Sequence, residues 1–400
     1  MKRSYTYKYR IYPNKEQRMF LERTFGCCRF VYNYFLGREK DFYLQNKEEA
    51  ESKRVKLHNS KFDNQKHLTQ LKKDERYQWL NEVSSHTLQK EVVNLDQSYN
   101  RFFKKLGGFP KFKKKGFADS FQMDNLTLYI KDGRLFIPKV REGIKIKEHR
   151  PLEGRILCGT ISKTPTGKYY ASITVEKDIT PLEATNKAVG IDLGIKDFAI
   201  LSTGEKVENP KFKRTQRRKL KFLHKKLSKK KKGSKNREKA RKKLAKKYEQ
   251  ITNKKQDFLH KLSSRIINEN QVICLEDLNV KGMVKNHNLA DSISEVSWYE
   301  FVRQLKYKAE WRGRNVVQVD RFFPSSKTCY ECGFINQELT LNNREWTCPK
   351  CGTHHDRDIN ASLNILRQGL NKLNLNLNDF QTAVGTTVES LWSCLGSQEQ

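Results

Sequence analysis

The sequence predicts a multidomain chain of the α+β class. Three observations carry this. The hydrophobic period is helical before residue 106, alternates as in strands from about 121 to 176, and beyond 187 breaks into short apolar strands interleaved with helices. Two of the later strands, around Asp192 and Glu276, are apolar runs that reach a carboxylate. Near the C-terminus four cysteines form two C-x2-C pairs, the spacing of a small metal-held unit.

Taken in order, Ser4 to Tyr12 alternates Tyr with basic residues and reads as a strand ended by Pro13-Asn14. From Glu16 to Phe35, the residues Phe20, Leu21, Phe25, Val31 and Phe35 fall near helical spacing. Residues 45–75 are highly charged and poorly patterned. A better helix begins at Ser84-Ser85, which could cap it. Its residues Leu88, Val92, Leu95, Tyr99, Phe102 and Leu106 recur at steps of three and four and define one buried face, before Gly107-Gly108 stops it. After the basic turn region GFPKFKKKG (108–116), NLTLYIKDGRLFIP reads as a hairpin turning at Asp132-Gly133. RILCGTISKTPTGKYYASITVE reads as a second, turning at Thr166-Gly167. Residues 1–12 and 107–183 thus predict a small β-barrel, with a helical domain, 13–106, inserted in it.

Pro181 to Lys187 is a plausible linker. AVGIDLGIKDFAILSTGEKV then reads as two adjacent strands. Residues 211–255 hold 23 Lys and Arg against 2 Glu, a net of +21. Leu220, Leu223 and Leu227, then Leu244, Tyr248 and Ile251, suggest two helices turning at Gly233-Ser234, a basic pair spanning 211–262. QVICLEDLNV (271–280) is an apolar strand ending in carboxylates, a helix follows from Trp298 to Trp311, and NVVQVD (315–320) is another strand. Residues 184–324 and 356–370 form the predicted α/β domain, interrupted by the cysteine unit, 325–355. A last helix runs from about Ile359 to Leu370, and the tail 371–400, rich in Asn, Gln and Ser, is expected to be loosely ordered. No internal repeat is visible.

Lys and Arg number 80 and Asp and Glu 45 among 400 residues, a formal charge of +35. That disfavours an ordinary metabolic enzyme and points to a polyanionic partner. With 11% aromatic residues the chain can still bury a core. No run approaches the ~18 consecutive apolar residues of a membrane span, and MKRSYTYKYRIYPNKEQ lacks the apolar region of a secretory signal. Nine cysteines, five of them scattered (Cys27, Cys28, Cys158, Cys274, Cys394), favour a reducing compartment. The expected location is cytoplasmic, nucleoid-associated when on DNA, and nucleic acid is favoured over membrane.

Cys329-Tyr-Glu-Cys332 and Cys348-Pro-Lys-Cys351 are separated by fifteen residues, and Gly333 and Gly352 follow the pairs as tight knuckles require. Four thiolates at this spacing suit one closed, structural Zn²⁺ site. Unligated cysteines and a redox CxxC are the competing readings.

Asp192 sits inside an apolar strand, Glu276 ends another, and Asp358 in HDRDINASLNI starts a helix. Singly, each has a bland reading: a satisfied buried acid, a strand-end acid, an N-terminal cap. Together they match a chemical need. Two divalent cations about 3.5–4 Å apart must be bridged and flanked by carboxylates, and a set drawn from two strands and a helix is the acidic site of ribonuclease H-type nucleases. Two Mg²⁺ ions suit such oxygen ligands. Asp197 and Asp277 are better read as surface residues. Asp356, two residues from Asp358, is not separated from it by spacing; the D-x-N-A order favours Asp358.

GIDLGIKDFA, LEDLNV, FPSSKTCYECG, WTCPKCG and HDRDINASLNI follow one another as in the transposon-encoded TnpB (OrfB) proteins, and YRIYPNKEQ and CRFVYNYFL resemble that family's N-terminus. These are RNA-guided DNA endonucleases related to the compact type V CRISPR effectors and to the Fanzor proteins. The resemblance covers roughly residues 1 to 370. It implies a ribonuclease H-like (RuvC) nuclease domain with an inserted zinc ribbon, a β-barrel wedge domain and a helical recognition domain. It makes Asp192, Glu276 and Asp358 the catalytic, magnesium-binding acids, and Cys329, Cys332, Cys348 and Cys351 the zinc ligands. It further implies a guide RNA made from the transposon end, a double-stranded DNA target, and a short motif beside the target read by the protein. A monomer on one RNA is expected at this size.

Charge on 211–255, with Arg217 and Arg218, and KFKKK (111–115), with Lys111 and Lys113, are candidate phosphate contacts. Ser85, His86 and Gln89 at the start of the second helix, with Gln122 and Met123, are candidate readers of the target-adjacent motif, Gln being suited to adenine. A non-catalytic zinc-ribbon regulator on the same scaffold is the competing function; the three acids argue against it. A strand-joining transposase has less support, since no paired-histidine motif with a catalytic Tyr is found. His354-His355 abuts the cysteine pair and reads as local structure.

Overall fold

Alternation of Tyr with basic residues at the N-terminus produces a strand with a buried and an open face. Tyr7, Tyr9 and Ile11 are buried, while Lys8 and Tyr12 are exposed. The computed structural model describes residues 2–52, 60–117, 119–287, 289–340, 343–377 and 380. The chain divides into two compact units, Met1–Asp178 and Ile179–Gln400. No helix among the described residues is long and apolar enough to cross a membrane.

The first unit runs β1 (Lys2–Tyr12), α1 (Lys15–Ser52), α2 (Lys61–Leu71), a 3-10 helix (Glu75–Glu82), α3 (Ser85–Phe103), β2 (Ser120–Asp124), β3 (Tyr129–Lys131), β4 (Arg134–Ile137), β5 (Val140–Lys147), β6 (Arg155–Lys163) and β7 (Tyr169–Asp178). Both expected hairpins form. In one, Asp132 and Gly133 take positive φ of 49° and 66°, as a tight turn between β3 and β4 requires. In the other, β6 and β7 pair from Arg155↔Glu176 to Lys163↔Tyr169. β1 pairs with β7 over Lys2–Ile11 and with β5 at Arg10–Tyr12, so the first strand does join this sheet.

Four expectations are corrected here. The strand order is β2-β6-β7-β1-β5-β4-β3, and no ladder joins β2 to β3 among the described residues. The sheet is curled and antiparallel but is not closed into a barrel by hydrogen bonds. α1 runs 38 residues, well past Phe35, because the stretch beyond is rich in Glu and Lys, which sustain a helix. α2 falls inside the poorly patterned stretch, started by a reciprocal cap: Ser60 Oγ accepts from Asp63 N, and Asp63 Oδ2 accepts from Ser60 N. α3 ends at Phe103, so Leu106 lies outside it and is 67% exposed. Leu21, Phe25, Val31 and Phe35 of α1, Leu88, Val92, Leu95 and Tyr99 of α3, and the inner faces of the strands share one hydrophobic cluster.

The second unit runs β8 (Ala188–Asp192), β9 (Asp197–Leu201), β10 (Lys206–Glu208), α4 (Phe212–Thr215), α5 (Arg217–Ser228), α6 (Lys235–Glu269), β11 (Val272–Glu276), α7 (Val280–Met283), α8 (Ala290–Val296), α9 (Trp298–Arg312), β12 (Asn315–Val319), β13 (Glu345–Thr347), β14 (His354–Asp356) and α10 (Arg357–Lys372). Its main sheet has the order β10-β9-β8-β11-β12, with β8, β11 and β12 parallel. Both faces are covered, as a parallel sheet requires. Val189, Ile191, Ile273 and Leu275 pack on one side against Leu259, Leu262 and Ile266 of α6 and Phe301 and Leu305 of α9. Ala188, Val272 and Cys274 pack on the other against Ile365, Leu366 and Leu370 of α10. Leu375, Leu377 and Phe380 pack against this second cluster, so the start of the tail is not loose; residues 378–379 and 381–400, which carry most of the tail expectation, lie outside the described residues.

The basic helices turn where expected, with Gly233 at φ 82° and Ser234 Oγ accepting from Arg237 N. Arg237 also donates to the carbonyls of Leu227 and Lys230, closing the end of α5. Leu220, Leu244 and Ile251 make a small core of their own. α6 extends to Glu269 because its last turns are apolar and reach the main sheet.

Candidate functional site

The period of two along a strand decides where the acids point. Ala188 and Gly190 on β8, and Val272 and Cys274 on β11, face α10, so Asp192 and Glu276 face it too. β8 and β11 are parallel and pair Ala188 with Val272 and Gly190 with Cys274, a register that sets Asp192 beside Glu276 at the C-terminal ends of both strands. Crevices at such ends are where open α/β sheets bind ligands. α10 can lie this close because Gly190 and Gly369 have no side chains: a Cβ on Gly190 would stand 2.0 Å from the Ser362 carbonyl oxygen, and one on Gly369 2.3 Å from Cys274 Sγ. Asp358, in the first turn of α10, is thereby brought to the strand ends.

The charge of the cluster is felt most at Asp192. Burial pushes the Asp192 carboxyl up to about 8, the charges of Glu276 and Asp358 push in the same direction, and Arg357 opposes them. Burial also raises Glu276, against a hydrogen bond donated by Ser325 Oγ to its Oε1 at 2.6 Å. Asp358 is held by two arginines: Arg344 Nη1 lies 2.8 Å from Oδ2, and Arg357 Nε and Nη2 lie 3.0 and 2.8 Å from Oδ1. Asp356 does something else. Its Oδ1 accepts from Asp358 N and Ile359 N, capping α10, and its Oδ2 pairs with Lys206 at 2.6 Å. Asp277 is engaged outside the cluster, paired with Arg321. Among the described residues only the four cysteines bring their ligand atoms within 4.8 Å of one another; the acid oxygens are set more widely. Three carboxylates at two strand ends and a helix start, two of them pushed up by burial, are a set of hard oxygen donors that fits a divalent cation such as Mg²⁺.

The cysteines are built locally. In both pairs the first cysteine's N–H donates to the carbonyl five residues on, Cys329 to Phe334 and Cys348 to Thr353, each at 2.8 Å. The glycine after each pair donates back to the first cysteine, at 3.0 Å from Gly333 and 2.8 Å from Gly352, with φ of 72° and 74°. The sulfurs of Cys329 and Cys351 are 3.7 Å apart and those of Cys332 and Cys348 3.6 Å. A regular tetrahedron with Zn–S of about 2.3 Å has an edge of about 3.8 Å, so the set fits zinc. His355 Nε2 lies 3.0 Å from Cys329 Sγ, and Trp346 and Leu339 cover the sulfurs.

The expected nucleic-acid contacts separate into several groups. Arg217, Arg218 and Lys111 are exposed. Ser85 and His86 are exposed and Gln89 and Gln122 half-buried; His86 Nδ1 meets Asp124 Oδ2 at 2.5 Å, drawing the start of α3 to the end of β2. Ser84 is the N-cap of α3 but makes no side-chain cap bond, while Ser85 Oγ accepts from Lys72. Met123 does not fit the expected reading role. It is 2% exposed, because on a strand the neighbour of an outward Gln122 must point inward. The Lys113 ammonium is also turned away from the expected phosphate role, 2.5 Å from the buried Glu91 carboxylate and over the Tyr32 ring. Sequence reasoning missed Arg344, Arg357, Lys206 and Ser325. Ser325 lies in the FPSSKTC run, Arg357 in HDRDINASLNI and Lys206 in LSTGEKV, but nothing in those runs marked their roles, and Arg344 lies in none of them. A cavity of about 370 Å³ opens beside Glu276, lined by Trp298, Tyr299, Arg303, Lys306 and Arg321 among others.

Comparison with known proteins agrees with this arrangement. A family profile described as "Probable transposase" (OrfB_IS605) matches residues 171–287, one described as "Cas12f1-like, TNB domain" matches 298–365, and one described as "Helix-turn-helix domain" matches 1–48, which in this chain hold a strand and a single helix. A protein of Streptomyces pristinaespiralis named "Putative RNA-guided DNA endonuclease" is 43% identical over 368 residues, covering 91% of this chain and 89% of that one. The Escherichia coli (strain K12) protein named "Putative RNA-guided DNA endonuclease InsQ" is 31% identical over 386 residues, covering 92% and 93%. The fold is similar, with a TM-score of 0.53 and 15% identity over 88% of this chain and 83% of the other, to a protein in the cryo-EM structure of a Cas12f1–sgRNA–target DNA complex. Identity at this level over nearly the full length of a relative, with the acidic and cysteine motifs in the family's order, means that the chain belongs to the TnpB (OrfB) family.

Proposed function

We propose that this protein is an RNA-guided endonuclease that hydrolyses double-stranded DNA beside a short target-adjacent motif, with a guide RNA made from the transposon end. The observation that carries the reading is the acidic face: Asp192, Glu276 and Asp358 converge from two strand ends and a helix start, and burial, with the charges of Glu276 and Asp358, pushes the Asp192 carboxyl up to about 8. Its relatives' names and the Cas12f1-like fold support the guided part.

In this reading Asp192, Glu276 and Asp358 would hold two Mg²⁺ ions, which when bound would activate a water and stabilise a departing 3′ oxygen. Asp192 and Glu276, neighbours at the ends of two paired parallel strands, would be ionised when they hold the cations. Arg344 and Arg357 orient Asp358 and moderate the excess negative charge as it approaches. The exposed cations of α5 and α6 hold phosphates of the RNA or of the RNA–DNA duplex without reading sequence. Ser85, His86, Gln89 and Gln122 remain the proposed motif readers. The products are 5′-phosphate and 3′-hydroxyl ends, and one site cuts both strands in turn. Zn²⁺ on the four cysteines is structural.

The guided part is tested by sequencing RNA that co-purifies from cells carrying the native locus. One discrete RNA ending in a variable segment copied from beyond the element is expected. A random sample of cellular RNA would instead support the non-catalytic binding protein.

A further inference from the structure

The stretch leading into the first cysteine pair is pinned along α10. Asn364 Nδ2 donates to the carbonyls of Ser325 (2.9 Å) and Thr328 (2.6 Å). Asn360 Nδ2 donates to the Thr328 carbonyl (2.7 Å), and Asn360 Oδ1 accepts from Tyr330 N (2.9 Å). The two asparagines are one helical turn apart and 1% and 2% exposed. Buried amides cost stability unless their bonds are made, and here each is spent on the backbone of this one segment. The Arg367 guanidinium, over the Tyr330 ring at 3.9 Å, adds a further clamp from the same helix.

The pinned segment meets one cluster at each end. At one end stands Cys329, whose sulfur belongs to the tetrahedral set. At the other stands Ser325, 5% exposed, whose hydroxyl donates to Glu276 Oε1 at 2.6 Å. The helix that pins it carries Asp358 at its start. One hydrogen-bonded path thus runs from the cysteine ribbon through Asn360 and Asn364 to a carboxylate of the acidic face. A hydroxyl fixed on one carboxylate oxygen sets the rotation of the group and leaves Oε2 to face a cation.

We propose that Ser325 is a positioning residue for the acidic site, and that the folded cysteine ribbon sets the orientation of Glu276 through Ser325. This rests on the reading of the acidic face as a divalent-cation site. It gives the ribbon a second task besides its own fold: an intact ribbon is a condition for full cation affinity at the acidic face. A Ser325 that merely satisfied a buried acid would leave cation affinity unchanged when replaced.

The test uses the full-length protein as Ser325→Ala and Ser325→Thr. Mn²⁺ binding is followed by the electron paramagnetic resonance of the free ion, zinc content and melting are measured alongside, and guided cleavage is titrated with Mg²⁺. Ser325→Ala is expected to keep its zinc and its melting transition, to bind Mn²⁺ about tenfold more weakly, and to need correspondingly more Mg²⁺ for half-maximal cutting. Ser325→Thr, which keeps the hydroxyl, should restore most of both. A third variant, Cys351→Ser, should weaken Mn²⁺ binding in the same direction. Wild-type Mn²⁺ affinity in Ser325→Ala would overturn the positioning role, and wild-type affinity in zinc-depleted Cys351→Ser would overturn the link to the ribbon. If wild-type protein binds Mn²⁺ but cuts nothing with its RNA, the nuclease reading fails while the Mn²⁺ results still decide this proposal.

Discussion

The cysteine ribbon and the acidic face are both clusters of ligating side chains in the second unit, yet they are assembled in opposite ways. The ribbon's four ligands lie between residues 329 and 351, on two matching knuckles, and their sulfurs already stand within 4.8 Å of one another. The acids lie at 192, 276 and 358 and meet only because β8 and β11 are in register and α10 packs closely on both. A local site is specified by spacing. A site assembled across the fold is specified by everything that sets register and helix approach, including residues with no ligand chemistry such as Gly190.

The largest effect should come from breaking the local site. Cys348→Ser removes one of four sulfurs, and the binding energy of such a zinc set, on the order of 10 kcal/mol, is local folding energy. Metal analysis should show zinc lost, and hydrogen exchange should show residues 329–356 unprotected while β8 and β11 stay protected. Exchange rising equally in those strands would mean that the two clusters are one folding unit.

Next is the distant site, broken without touching an acid. Gly190→Ala places a methyl 2.0 Å from one backbone atom of α10 and 2.7 Å from another, so the helix must move. We expect a loss of about 1–3 kcal/mol in stability, weaker Mn²⁺ binding, and unchanged zinc. Full Mn²⁺ affinity would show that the approach of α10 does not set the acidic geometry.

The same two substitutions show why the sequence revealed one site more readily than the other. The C-x2-C spacing and the glycine after each pair identify the ribbon directly. Asp192, Glu276 and Asp358 each have an ordinary structural reading, and only their order beside the ribbon, as in the family, singles them out. Strand and hairpin positions were legible because alternation and Asp132-Gly133 or Thr166-Gly167 are local signals. The absence of a ladder between β2 and β3 and the pairing of Lys113 with Glu91 were not, since each depends on a partner elsewhere in the chain, and the far half of α1 lacks the apolar period that marks a helix although its Glu and Lys sustain one. Reading Gln122 and Met123 both as motif readers conflicts with the strand period, which turns neighbouring residues to opposite faces. Arg344 and Arg357 look like any of the chain's 80 basic residues until Asp358 is seen between them.

A smaller effect sharpens the comparison through pH. Asp192 holds its proton up to about 8 in the folded protein, whereas an unfolded Asp loses it near pH 4 or so. The folded state therefore binds more protons across that window, and this group's contribution to stability falls as pH rises through it. Without added Mg²⁺, Asp192→Asn should match wild type near pH 4 and be more stable by about 5 kcal/mol at pH 8. Calorimetry across pH checks this, and added Mg²⁺ should stabilise wild type but not the variant. A gap that does not grow with pH would mean that burial and the neighbouring acids do not hold the Asp192 proton as their placement implies.

The most direct test of the central claim is cleavage of a plasmid carrying the matched target by the RNA-loaded protein with Mg²⁺, comparing wild type with Asp192→Ala. Wild type should cut both strands only with its RNA, and Asp192→Ala should bind the target and leave it intact. Cutting by Asp192→Ala, or by wild type without RNA, would contradict the assignment of the acidic face as the guided catalytic centre.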